Sequence, residues 1–322
     1  MDLLCSPADR GYPADYLLVR IKGRRSRLIR DWKRLTFDAA LFDTSPASIP
    51  DGLFKVKSPV SIGAELVREY RWVYEQMNRR LREIFAPFFL YTELRTVFMC
   101  LRRLKDRKAG ALDELLATSL LSDRVKDILL VSEDLKAAVE RIEEFFSSQS
   151  PRYAGLAATL ESEGLRGFEQ QFTDRYLTET MRSRVHPIMK EFFSRLIDAR
   201  NAMSFYKYLR LDLTKLPAVI AGGTIEEAKL LEIARSDDLV KASALIQELT
   251  GVPVERTDPT SVELALYRGM TRWLRKAGRE PFGVAPILDY LWRCSIEAMN
   301  LRVLYYGRDL EREVIAAEIV QP

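Results

Sequence analysis

The side chains with the most chemical promise in this sequence are few and scattered. Its one histidine, His186, stands directly before Pro187, and Ser183 is the nearest hydroxyl. Nothing around them has the form of a nucleophile motif, so general-base or covalent catalysis from this point finds no support. An all-helical chain can hold magnesium through clustered aspartates, as isoprenoid synthases do. Here Asp237-Asp238 is followed by Leu-Val-Lys241 with no second acidic element at helical spacing, so the pair reads as the start of a helix. The glycine pair Gly222-Gly223 runs into Thr-Ile-Glu, and no GxxxxGK[ST] occurs, which leaves phosphate cradling unsupported. Cys5, Cys100 and Cys294 lie far apart, with no CxxC. That spacing argues against a disulfide framework or a zinc site, and the thiols read as small core residues. The sequence therefore predicts no catalytic residue, no cofactor and no metal ligand.

What the sequence does repeat is a polar pair at a fixed distance from a proline. Val185-His-Pro187-Ile188 resembles Val284-Ala-Pro286-Ile287, and eleven residues after each proline comes an acid, Asp198 or Glu297. An alanine follows each acid, and an asparagine stands three residues on, Asn201 or Asn300. A weaker copy lies upstream: Glu93 with Thr96 in place of the asparagine, and Pro87 only six residues before the acid. Each copy runs on to a basic residue eleven or twelve positions after the acid, Lys105, Arg210 or Arg308. The acids are 105 and 99 residues apart. On a helix the acid and its partner at i+3 share a face, where they can bond each other or the ends of neighbouring helices. Two roles stay open: ties between helices within a unit, or direct contacts to a partner. Glu93, Thr96, Asp198, Asn201, Arg210, Glu297, Asn300 and Arg308 are the candidate interface residues.

The elements that carry these pairs read as helices. No proline and only Gly110 interrupt the stretch from Phe89 to Ser150, where Leu, Glu, Lys, Arg and Ala dominate. Ile128, Val131, Leu135, Val139, Ile142 and Phe146 form one apolar stripe of an amphipathic helix. Thr224-Ile-Glu-Glu227 and Thr260-Ser-Val-Glu263 have the form of capping boxes, and in each repeat the proline suits the first turn of its helix. Alternating Val/Ile runs bounded by turns are nearly absent. The expected class is all-α, organised as three homologous units over 1–108, 109–214 and 215–322, with breaks near Lys105–Gly110 and Leu213–Thr224. A second correspondence, Ser122-Asp-Arg-Val-Lys126 with Ser236-Asp-Asp-Leu-Val-Lys241, supports the repeat.

Composition sets the remaining bounds. The 322 residues are 47% hydrophobic and 30% charged with a net charge of +4, too apolar and too nearly neutral for a disordered chain. No apolar run approaches the ~18–20 residues of a membrane span. The first ten residues contain Asp2 and Asp9 and no apolar stretch of the secretory kind. A soluble protein of a reducing, cytoplasmic compartment is expected. Arg20–Arg34 carries eight cations and one acid, Asp31, a density that suits a solvated face, an anionic lipid surface or nucleic acid. Arginine outnumbers lysine 36 to 14, which favours fixed ion pairs at interfaces, while the balanced total charge is unlike a nucleic-acid binder.

Taken in order, these motifs resemble one family, the C subunit of V-type (archaeal and bacterial A/V-type) ATPases, called the d subunit in vacuolar enzymes. The resemblance runs through Tyr16-Leu-Leu-Val-Arg20-Ile-Lys-Gly-Arg-Arg-Ser-Arg-Leu28, then His186–Lys190 with Asp198-Ala-Arg-Asn201. It ends with Pro286-Ile-Leu-Asp-Tyr-Leu-Trp292, Glu297-Ala-Met-Asn300-Leu-Arg302, Gly307-Arg308 and the tail Glu313-Val-Ile. Thr96 and the proline-containing stretch Leu41–Pro59 depart from the family pattern. The resemblance implies a funnel-shaped, three-lobed protein with pseudo-threefold symmetry, monomeric alone and present once per complex. It implies a non-catalytic place on the cytoplasmic face of the proteolipid ring, receiving the shaft formed by the D and F subunits and passing torque between shaft and ring. A helical scaffold or adaptor unrelated to rotary ATPases, or an isoprenoid-synthase-type enzyme, are the alternatives.

Overall fold

The computed structural model describes residues 3–37, 54, 59–106, 112–254, 258–280 and 283–321. The stretch Leu41–Pro59, apart from Phe54 and Pro59, lies outside these residues, as does 107–110 at the expected first boundary. Fourteen α-helices are present among the described residues. They begin with α1 (Ala14–Arg25), α2 (Trp32–Phe37), α3 (Pro59–Gln76), α4 (Arg79–Lys105) and α5 (Leu112–Thr118). Next come α6 (Asp123–Val131), α7 (Leu135–Gln149), α8 (Leu156–Arg182), α9 (Pro187–Arg210) and α10 (Glu227–Ser236). The last are α11 (Leu239–Thr250), α12 (Pro259–Ala277), α13 (Ala285–Tyr306) and α14 (Arg312–Glu318). An isolated bridge between Leu4 and Leu121 is the one β feature among the described residues. The class is all-α.

Several local expectations change. The stripe from Ile128 to Phe146 is two helices, because Ser132-Glu133-Asp134 interrupts it. The Ser132 hydroxyl donates to the Ile128 carbonyl and the Asp134 carboxylate accepts from the Ala137 amide, the local bonding by which Ser and Asp end one helix and cap the next. Neither capping box works as written. α10 starts at Glu227 with no side-chain cap, because Thr224 is engaged elsewhere, and α12 is capped by Asp258, whose carboxylate accepts from the Ser261 amide. Asp238 does open a helix, accepting from the Val240 and Lys241 amides. Pro187 starts α9 and Pro286 lies in the first turn of α13, but Pro87 is well inside α4. The buried aromatics Phe85, Phe88 and Phe89 around it hold the helix on course despite the missing N–H. α4 is also long and apolar enough to cross a membrane by length and composition, contrary to the reading of short runs. Half of its apolar window is buried inside the protein.

The chain divides into two compact units, each discontinuous in sequence. The first comprises Met1–Gly11, Arg71–Phe193 and Ile220–Gly222. Its core is aromatic: the Phe146 ring lies 4.8 Å from Phe172 and 5.2 Å from Tyr153, and Phe88 lies 5.7 Å from Phe192, at the separations favoured by tilted and edge-on rings.

The second unit comprises Tyr12–Tyr70, Ser194–Val219 and Gly223–Pro322. Phe205 and Tyr206 of α9, Leu230 of α10, Ile246 of α11 and Val262 of α12 meet in one buried cluster. α11 and α12 approach closely at Gly269, where an added Cβ would stand 2.6 Å from the Thr250 Cβ and 2.8 Å from its Cα. Gly269→Ala should therefore force the helices apart and lower stability by about 1–3 kcal/mol, as overpacking does. A melting temperature unchanged from wild type, followed by circular dichroism, would show that the close approach is not needed.

Candidate functional site: three buried acids and their amides

The three repeated acids share one environment. Glu93, Asp198 and Glu297 are 4%, 3% and 2% exposed, each in the middle of a long helix, α4, α9 or α13. A buried carboxylate must find donors, and each of these finds backbone N–H groups of a segment that is about to become helix. Glu93 Oε1 accepts from the Leu120 amide at 2.8 Å. Asp198 accepts from the Thr224 amide at 2.8 Å, the Ile225 amide at 3.0 Å and the Thr224 hydroxyl at 2.7 Å. Glu297 Oε2 accepts from the Ile29 amide at 2.9 Å. In all three cases the donor stands three residues before a helix, Leu120 before Asp123 of α6, Thr224 before Glu227 of α10, and Ile29 before Trp32 of α2.

The Gly222-Gly223-Thr224 loop binds an anion after all, but the anion is a side chain of the same protein. A Cβ on Gly223 would overlap the Asp198 carboxylate, so only glycine lets the loop close on it. The companion polar residues differ. Asn300 Nδ2 donates to the Val320 carbonyl at 2.8 Å and its Oδ1 accepts from the Val320 amide at 3.0 Å, pinning the tail after α14. Asn201 is buried. Thr96 turns its hydroxyl to Glu93, the i, i+3 pairing expected of one helical face. Arg210 is exposed, and so is Arg308, which lies 5.9 Å from the Tyr305 ring centroid and 3.8 Å from Asp309.

Two further acids complete the arrangement in the second unit and explain part of the basic N-terminal segment. Arg24 forks onto Glu69, its Nε 2.7 Å from Oε1 and its Nη2 on Oε2, while the Tyr290 hydroxyl donates to Oε1 at 2.7 Å. Burial holds the Tyr290 hydroxyl protonated far above its usual range, which keeps it a donor. Arg25 pairs with Asp289 at 3.2 Å, and Arg293 reaches both Asp289 oxygens at 3.0 Å. The bidentate Arg24–Glu69 pair fixes α1 against α3, and the single Arg25–Asp289 contact ties α1 to α13. Lys22, Arg27, Arg30, Lys33 and Arg34 remain exposed. Sequence reasoning missed Glu69, Asp289 and Tyr290, although an aspartate inside Ile287-Leu-Asp289-Tyr-Leu291 signals a charge that must be paired in the core. His186 is exposed, Cys100 and Cys294 are buried, and no group of three His, Cys, Asp or Glu that could hold a metal occurs among the described residues.

Glu93 is the tie with a resolved protonation bias. Burial raises its pKa, against the lowering pull of the Leu120 amide, the Thr96 and Ser119 hydroxyls and Lys126. An acid whose pKa is higher folded than unfolded contributes stability that is complete below the unfolded value and lost as pH rises through the folded one. Glu93→Gln, which keeps an oxygen for the Leu120 amide, should thus gain stability relative to wild type at neutral pH. That gain should disappear below about pH 4, where unfolded glutamate is protonated. Denaturant titrations across this range should show the two curves converging in acid; parallel curves would mean that Glu93 has no bias. Glu93→Ala should cost about 1–3 kcal/mol in acid by leaving the amide unpaired, and less at neutral pH, where wild type loses the part of its stability that Glu93 gives when protonated.

Residues 61–317 match the family described as ATP synthase (C/AC39) subunit. The chain is also 24% identical to the C subunit of the A-type ATP synthase of Archaeoglobus fulgidus, with 93% of this chain and 95% of that protein aligned. The buried ties Glu93, Asp198, Glu297 and Asn300 all lie within the matched span. The chain belongs to the ATP synthase (C/AC39) subunit family.

Proposed function

We propose that this chain is the central-stalk coupling subunit of an A/V-type rotary ATPase, joining the shaft of the D and F subunits to the proteolipid ring on the cytoplasmic side of the membrane. It carries torque and no chemistry of its own, and one copy serves each complex. The observation that carries the reading is the threefold recurrence of one tie, a buried acid in a long helix holding the amide three residues before a short one. In this reading the chain is three homologous units, 1–108, 109–214 and 215–322, in a pseudo-threefold funnel. The first acid holds the opening of the second unit and the second that of the third. The third acid takes Ile29 of the first. A closed set of three suits a part that turns on an axis and must not open under load.

The exposed arginines at the ends of the repeat helices, Arg210 and Arg308, are then the members of the repeated motif that face partners. The acids and Asn300 act as ties. Arginine suits a joint that resists torque and still separates, because its fork gives directional bonds that salt weakens.

Two measurements test this. The purified chain should be monomeric, hydrolyse no ATP and bind no nucleotide, and ATP turnover abolished by a substitution within it would overturn the reading. Complexes assembled without the chain should retain ATP hydrolysis by the catalytic head and lose ion-driven ATP synthesis. Retention of coupling would overturn it equally. Glu297→Ala, which unpairs Ile29, should destabilise the chain by about 1–3 kcal/mol and lower coupling more than head-group hydrolysis.

A further inference from the structure

The second unit carries a cleft that none of the ties explains. It measures about 570 Å³ and lies along the C-terminal half of α12 beside the end of α11 and Arg195 of α9. Its lining contains five cations, Arg195, Arg272, Arg275, Lys276 and Arg279, and no carboxylate. Gly269, Arg272, Trp273 and Lys276 stand at i, i+3, i+4 and i+7, so one face of α12 forms the wall. Arg272 is aimed by its bond to the Gly251 carbonyl at 2.8 Å, and Arg195 lies 4.9 Å from the Trp273 ring centroid. Lys276 and Arg279 are exposed, and among the described residues neither has a carboxylate within 4.0 Å.

The positive surface extends beyond the cleft. Arg25 is lowered below the usual arginine value by burial and by the neighbouring cations Arg293, Arg275 and Arg30, despite its pairing with Asp289. Arg275 thus stands between the cleft and the basic N-terminal segment. The helix dipole accounts for basic residues in the last turn of α12, but not for Arg195, which comes from another helix.

We propose that this cleft receives an acidic helical segment of another subunit of the same complex, with carboxylates meeting Arg272, Lys276 and Arg279 and an apolar side chain meeting Trp273. This deepens the coupling reading and rests on it. Arg272 and Lys276 stand about 6 Å apart along the helix axis and Arg279 follows in the turn after α12, so the cations do not converge on one point, which matches carboxylates at i, i+3 or i+4 and i+7 better than one phosphate group. A concave wall with a half-buried tryptophan suits a convex, partly apolar occupant. A flat bilayer surface would call for protruding cations. Tryptophan and arginine are the side chains on which interfaces concentrate their binding energy.

The test uses the full chain and the remaining subunits of its complex. Carbodiimide treatment of the assembled complex, which joins an amine to a carboxylate only in contact, should link Lys276 to Asp or Glu of a partner helix. Lys276→Glu with Arg279→Glu should weaken assembly at least tenfold at low salt, with the difference narrowing as salt rises and the melting temperature unchanged. Lys276→Arg with Arg279→Lys should restore assembly. If wild type and the reversed variant assemble equally and Lys276 stays unlinked, the cleft assignment fails while the coupling reading stands. If the reversal abolishes binding to phosphatidylglycerol vesicles but not assembly, the cleft faces lipid and the assignment fails. If the wild-type chain does not assemble with these subunits at all, the coupling reading falls and takes this inference with it.

Discussion

A carboxylate inside a helical core and a backbone amide just before a helix have the same difficulty, since each must find a partner away from water. This protein solves both at once, three times. The acid stands in the middle of a long helix, where its position is fixed by the packing on either side. The amide belongs to the segment that opens the next short helix, whose direction is therefore set by a bond to a distant element. Hydrogen bonds to a charged group are worth about 1.5–3 kcal/mol each, and an unpaired buried charge costs more. At Asp198 three donors converge on one carboxylate, and the loop that supplies them needs Gly223 to come close enough. Without these bonds the short helices would have apolar faces to bury but nothing to fix where they begin.

α13 gathers α1, the segment before α2, and the tail after α14. Its Asp289 holds Arg25, its Tyr290 reaches Glu69 beside Arg24, its Glu297 holds Ile29, and its Asn300 clamps Val320 through both side-chain groups. Residues 289, 293, 297 and 300 recur at four and three, so a single helical face does this work. In the proposed coupling role that concentration has a mechanical meaning. Tying the stretch Arg25–Ile29 and the tail after α14 to one buried helix joins elements that a torque would otherwise pull apart.

The class and the three buried acids were legible because both rest on side-chain chemistry. A buried acid in an apolar helix stands out from its neighbours, and a proline at a fixed distance marks where that helix begins. The partners of the acids were not legible, because two of the three are plain backbone amides of Leu120 and Ile29, which carry no signature. Only Gly222-Gly223-Thr224 gave a sign, and it was weighed against a phosphate ligand alone, not against a carboxylate of the same chain. The break at Ser132 was hidden for a related reason: the apolar stripe continues at helical spacing across it, and only the competition of Ser132 and Asp134 side chains for the backbone ends the helix. The Thr224 capping box failed because its hydroxyl has a stronger acceptor in Asp198 than in its own helix.

The arginines of this chain separate into two classes by the same reasoning. Arg24, Arg25 and Arg293 are half or more withdrawn from solvent and each sits against a buried carboxylate already supplied by the fold. Their replacement would strand Glu69 or Asp289 as a buried charge, so they are bound to the structure whatever the protein does. Lys276 and Arg279 have no such tie to the fold: they are exposed, and their removal would leave no acid unpaired among the described residues. A basic residue on a concave wall without an internal acid has only the negative end of its helix dipole to offset the repulsion of its neighbours. The proposed acidic helix would bring its negative charge to the wall of α12, a surface distinct from the basic run at the N-terminus, where Arg24 and Arg25 are committed within the chain and Lys22, Arg27, Arg30, Lys33 and Arg34 remain exposed.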